Sequence, residues 1–152
     1  MNTEKIDSPY SLKTAVLFLV FNRPDTTMKV FEKIRQAKPY RLYLGGDGPR
    51  EGHDSDKEKV IKVCEILNKV DWPCEVKTLF RDNNLGCKKG VSSAIDWFFE
   101  NEEQGIILED DCVPCSTFFD YCSELLEIYR DDRRVMHISG LNFVSGPVEL
   151  PP

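Results

Sequence analysis

The chain has 152 residues, 41% hydrophobic and 30% charged, which fits one globular domain able to bury a core without disulfide staples. Twenty basic against twenty-six acidic residues give a formal net charge of -6, a balance that argues against a nucleic-acid partner. The longest strongly apolar run, Ala15 to Phe21, is far too short to span a bilayer, so no transmembrane segment is predicted. The opening Met1-Asn2-Thr3-Glu4-Lys5 leads into no secretory apolar core, and a cytoplasmic protein is expected. The six cysteines follow no disulfide framework and read as free thiols or small buried hydrophobes. Cys112-x-x-Cys115 is the start of a zinc pattern that no second CxxC or histidine pair completes.

Strands and helices alternate along the chain. Thr14 to Phe21 predicts a central strand, followed by a helix opened by Pro24 with Met28, Val30, Phe31 and Ile34 on its apolar stripe. Arg41 to Leu44 predicts a second strand, closed by the turn-rich Gly45-Gly46-Asp47-Gly48-Pro49. Ser55-x-x-Glu58 reads as a capping box opening a helix with Val60, Ile61, Cys64 and Leu67 inward. Glu75 to Phe80 predicts a third strand, and the helix after the loop Arg81 to Gly86 carries Val91, Ala94, Ile95 and Phe98 on one face. Ile106-Ile107-Leu108 is a short buried strand. The next helix carries Phe118, Tyr121, Cys122, Leu125 and Tyr129 in helical period, and Arg134 to Ser139 predicts a last strand. The expected division is a tail at 1–13, one domain at 14–146 and a tail at 147–152. Four strand–helix units in succession argue for a Rossmann-like three-layer α/β/α fold with a mostly parallel sheet.

The chemistry concentrates where the fourth strand ends, in Glu109-Asp110-Asp111. Three adjacent carboxylates repel one another unless a cation or a donor-rich ligand offsets them. A hard ion such as Mg²⁺ or Mn²⁺ takes one or two carboxylates and completes its shell with phosphate oxygens and water. Ligands in open α/β sheets gather beyond the carboxyl ends of the strands. Right-handed crossovers bring Asn22-Arg23, Gly46-Asp47-Gly48 and Glu109-Asp110-Asp111 to that same edge. The pattern points to a metal–diphosphate site.

Phe21-Asn22-Arg23-Pro24, Asp47, and Leu108-Glu109-Asp110-Asp111-Cys112-Val113-Pro114 with Phe118-Phe119-Asp120-Tyr121 together resemble the donor-binding half of GT-A glycosyltransferases. The N-acetylglucosaminyltransferase I-like group, whose Glu-Asp-Asp signature is a version of the DxD motif, is the nearest likeness. It covers Thr14 to Asn142, and the acidic-to-aromatic segment is its most specific part. The resemblance implies a GT-A fold truncated to its donor part, a UDP-sugar donor, Mn²⁺ or Mg²⁺ as cofactor, and a carbohydrate or glycoconjugate acceptor. It implies that Asp111 binds the metal, that Asp110 and Glu109 contact ribose and sugar hydroxyls, and that Arg23 neutralises the diphosphate. Asn22 then frames the base, although the relatives carry aspartate there, and Asp47 accepts from the uracil imide. Transfer with inversion is implied, with the catalytic base in a C-terminal half beyond this chain. Asn83-x-x-Gly86 and Lys88-Lys89-Gly90 resemble a loop and helix start of many nucleotide-sugar transferases, which makes Arg81 and Lys89 further phosphate candidates.

Plainer readings stand beside these. The acidic triplet also reads as a capped turn, and Asp47 between glycines is a natural turn residue. Lys88 and Lys89 also read as a solvated helix face. At the level of function, a nucleotide-sugar-binding module or fragment without turnover is the alternative to an enzyme. A receiver-like phosphotransfer domain fits poorly, because the third strand ends in Phe80-Arg81 and nothing after Ser139 supplies its lysine. A purely structural domain leaves the converging polar loops unexplained.

Overall fold

Every residue of β1 (Val16–Val20) is buried, which requires cover on both faces of the strand. The computed structural model, which describes residues 12–141, supplies that cover with helices above and below a four-stranded sheet. The remaining elements are α1 (Pro24–Ala37), β2 (Arg41–Gly46), α2 (Asp54–Leu67), β3 (Glu75–Phe80), α3 (Gly86–Phe99), β4 (Ile106–Glu109) and α4 (Phe118–Ile128). The sheet order is β3-β2-β1-β4, with every pairing parallel. The three-layer α/β architecture is therefore the expected one. Most of the expected tail 1–13, the end of the domain after 141 and the tail 147–152 lie outside the described residues.

Alternation along β1 divides the core. Val16, Phe18 and Val20 pack with Val30, Phe31 and Ile34 of α1, with Val63, Ile66 and Leu67 of α2, and with Phe119 of α4. Ala15, Leu17 and Leu19 face the other way, onto Tyr43 and onto Ala94 and Phe98 of α3. Three helices thus share one face and α3 covers the other. Pro24 pre-sets the first turn of α1, and Lys38 closes it in the left-handed region (φ 49), its N–H donating to Ile34 O at 2.9 Å.

Four expectations need correction. First, β2 runs two residues further than Leu44, through Gly45 and Gly46, which pair with Leu19 and Val20. These glycines are there for packing: a Cβ on Gly46 would sit 2.6 Å from Phe80 Cδ1. Second, the capping box does not form. Helix α2 starts at Asp54, one residue before Ser55, with His53 at the cap and no side-chain cap. Third, the inward stripe of α2 is Asp56, Val63, Ile66 and Leu67, whereas Ile61 is 59% exposed. The phase follows Asp56, a carboxylate 1% exposed and held by partners from two loops.

Fourth, Arg134 to Ser139 forms no strand. Handedness bars it from joining the sheet as a parallel strand beyond β4. Helix α4 lies on the α1 face, and β4 lies on the opposite side of β1 from β2. A parallel strand added outside β4 through α4 would need a left-handed crossover, which folds almost never use. On α4 itself only Phe119 is fully buried, with Phe118, Cys122 and Leu126 packed partly against the core, and the expected Tyr121 and Tyr129 stay exposed.

No helix among the described residues is long and apolar enough to cross a membrane. All six cysteines are free thiols, and burial pushes Cys74 and Cys122 up to about 11.

Candidate functional site

All four strands point the same way, so the loops after β1, β2, β3 and β4 share one rim. The first and last of these loops are tied together directly. Phe21 N–H donates to Asp110 Oδ2 at 3.0 Å. The Arg23 guanidinium donates through Nη1 to Asp110 Oδ1 at 3.0 Å and to Asp111 Oδ2 at 2.9 Å. Asp110 is 3% exposed, so its negative charge is held by a backbone amide and a cation. The Arg23 and Asp111 side chains are both about half exposed, at 56% and 47%. Pairing with Asp110, reinforced by Asp111 and Glu109, raises the Arg23 pKa and keeps its charge in place. Glu109 ends β4 exposed beside them.

The middle of the rim is organised by a residue that the sequence reading passes over. Asp56 accepts from Asn22 Nδ2 at 2.7 Å, from Arg50 Nε at 2.7 Å and Nη2 at 3.1 Å, and from Arg50 N–H at 3.3 Å. Chiefly through the Arg50 hydrogen bond, and with help from Asn22, its carboxyl is held well below the usual range despite burial. The Arg50 guanidinium lies over the Phe21 ring, 5.6 Å from its centroid. The available signal was positional: Asp56 lies seven residues before Val63 and eleven before Leu67, on the buried stripe of α2.

Asp47 also lies on the rim, but its carboxylate is engaged. It accepts from Gly48 N–H at 3.2 Å, from Leu85 N–H at 3.0 Å and from Gly86 N–H at 3.2 Å. It thereby clamps the loop after β2 to the start of α3. Gly90 permits the approach, since a Cβ there would lie 3.1 Å from Asp47 Oδ2. Asn84 adds a second tie, donating through Nδ2 to Gly48 O at 2.9 Å. These amides occupy most of the acceptor capacity of the Asp47 carboxylate. Arg81 donates through Nη2 to Ser93 Oγ at 2.7 Å, which turns it toward α3. Lys89 lies on the exposed part of α3.

The expected residues therefore share one edge but fall into separate groups. Arg23, Glu109, Asp110 and Asp111 gather at the ends of β1 and β4, Asn22 is tied to Asp56 beside Arg50, and Asp47 and Arg81 make ties within the β2–β3–α3 side. At the acidic corner the Asp111 carboxylate is open to solvent and paired with the half-exposed Arg23, and no three His, Cys, Asp or Glu side chains among the described residues are grouped to hold a metal ion. Asp110 fits a fixed role instead, because both of its oxygens already accept protein hydrogen bonds. Two hollows, of about 340 and 390 Å³, lie away from this rim, one around Arg41 and Glu102 and one beside Arg35 and Trp72.

No protein-family model matches the chain, and neither a curated protein nor a solved structure is found that is similar to it.

Proposed function

We propose that this rim is the donor site of a metal-dependent glycosyltransferase of GT-A type, which binds a UDP-sugar and passes the sugar to a carbohydrate or glycoconjugate acceptor with inversion. The observation that carries the reading is Arg23 bridging Asp110 and Asp111 at the carboxyl ends of the adjacent strands β1 and β4. A bare diphosphate would be repelled by the acidic triplet, and Arg23 alone offsets only part of that charge. Asp111, half exposed beside Arg23, would hold Mn²⁺ or Mg²⁺. A bound ion would supply neutralisation of the diphosphate leaving group.

The protein groups then have distinct tasks. Arg23 turns from Asp111 to the phosphate oxygens and keeps Asp110 as its anchor, a charge-assisted contact that strengthens as negative charge develops. Glu109 offers a carboxylate to sugar hydroxyls. Asp47 braces the β2 loop against α3, with Lys89 and Arg81 as outlying cations on that side.

A nucleotide-sugar-binding module without turnover is the second reading, favoured by the concentration of every assigned residue on the donor side. Turnover separates the two. UDP-sugar hydrolysis or transfer that appears with Mn²⁺ and disappears in Asp111→Ala is the result expected of the enzyme. Mn²⁺-dependent UDP binding with no release of sugar assigns the module, and the absence of both contradicts the site.

A further inference from the structure

The geometry points to a twofold dimer in which the open edge of β3 pairs antiparallel with β3 of a second copy, centred on Thr78, joining two four-stranded sheets into one. The inference stands on the flank of the sheet and does not depend on the chemistry of the rim.

Strand β3 is an edge with few of the usual protections. In a parallel ladder, alternate residues bond to the same neighbour. Glu75 N–H donates to Tyr40 O at 2.8 Å and Arg81 N–H to Gly46 O at 3.1 Å, so Glu75, Lys77, Leu79 and Arg81 turn their backbone groups to β2. Val76, Thr78 and Phe80 turn theirs outward, where no strand among the described residues meets them. Proteins commonly blunt such an edge with proline, a bulge, a very short strand or an outlying lysine. β3 has six residues without proline, in unbroken register with β2. Its one lysine is drawn inward, because Lys77 Nζ donates to Asn101 Oδ1 at 3.0 Å and lies over the Tyr43 ring. The opposite edge, β4, has four residues and ends in an exposed glutamate, which leaves β3 the better template.

Side chains alternate across the strand. Leu79 packs with the α3-side cluster and Arg81 bonds Ser93 of α3, which places Glu75, Lys77, Leu79 and Arg81 on that face. Val76, Thr78 and Phe80 share the other face and are all exposed, Val76 at 39%. Inverting the strand about Thr78 makes this edge its own complement. Val76 stands opposite Phe80 of the second copy, so both exposed apolar side chains find cover. Glu75 stands opposite Arg81, pairing unlike charges at each end of the contact. Val76–Phe80 and Thr78–Thr78 become hydrogen-bonded pairs, each exchanging both N–H···O bonds. A shift of one residue sets outward backbone groups against inward ones, and centring on Val76 leaves Phe80 and Arg81 beyond the facing strand. The twofold closes the assembly, consumes both open edges and leaves a β4 at each end.

Sedimentation of the full chain in reducing buffer, which keeps its free thiols from cross-linking, tests the contact. A strand pair alone is a small interface, so wild type should be half dimeric at roughly 10–100 µM. Thr78→Pro removes the central N–H on the side away from β2 and should stay monomeric across that range. A dimer that survives this substitution in a chain with the wild-type circular dichroism overturns the inference. Glu75→Arg, at an exposed position, sets like charges opposite each other twice and should weaken association by about tenfold. Adding Arg81→Glu should restore it, and this pair of variants carries the test if proline prevents folding. Association that ignores Glu75→Arg, or is not regained in the double variant, overturns the inference. So does a wild type that stays monomeric to about 300 µM, which would leave the edge to a strand from another protein.

Discussion

Arg23 does at short range what a metal ion would do: one nitrogen stands within 3.0 Å of carboxylates from two successive residues. On the proposed reading, that geometry would set Arg23 and a divalent cation in competition for Asp111. It also gives Arg23 opposite effects on two binding events. In Arg23→Ala, Mn²⁺ alone should bind more tightly, by roughly fivefold, the scale of a half-exposed ion pair worth about 1 kcal/mol. UDP in the presence of Mn²⁺ should bind more weakly, by about tenfold or more, because a charge-assisted contact to the diphosphate is lost. Titration of the variant with each in turn checks this, and a shift of both affinities in the same direction would contradict it. Arg23 and the acidic triplet were legible as residues, since an arginine next to a strand end and carboxylates in series are local features. Their mutual pairing was not, because 87 residues separate Arg23 from Asp110.

Among the elements, the loops after β2 and β3 show how glycine spacing encodes a close approach. A Cβ on Gly48 would meet the backbone of Asp82 and Asn83 at 2.6 Å, whereas one on Gly46 would meet side chains, chiefly the Phe80 ring, itself 43% exposed. Backbone cannot give way as a half-exposed ring can. Gly48→Ala should therefore cost on the order of 1–3 kcal/mol and displace the Arg81–Gly86 loop, while Gly46→Ala should cost clearly less. Thermal unfolding of the two variants decides the order, and equal losses would refute it. The same region marks the limits of reading elements from sequence. The Gly45-Gly46 pair signals a turn by composition, yet it continues β2 because α3 and Phe80 press close. In α2 the apolar residues Val60 and Ile61 suggested one phase, and the buried ion cluster at Asp56 imposed another. Periodicity counts apolar side chains and misses a carboxylate whose partners, Asn22 and Arg50, come from other loops.

For the whole molecule, parallel strands joined by right-handed crossovers are enough to gather distant loops on one rim, and that much followed from the alternation of strands and helices. The order β3-β2-β1-β4 reverses direction between β1's two neighbours, and the acidic corner lies at that reversal. What alternation could not supply was the face taken by α4, and with it the bar to Arg134 to Ser139 extending the parallel sheet. That face is set by burial of Phe119 beside the α1–α2 core. Along the rim, all the proposed chemistry depends on a cation joining Asp111 to a ligand's diphosphate. Calorimetric titration of UDP into wild type and Asp111→Ala, each with and without Mn²⁺, measures that dependence directly. Asp111 is half exposed and outside both core clusters, so its alanine variant should keep the fold. The account predicts tight binding only in wild type with Mn²⁺, falling at least tenfold when either the ion or the carboxylate is removed. Equal affinity under all four conditions would contradict it.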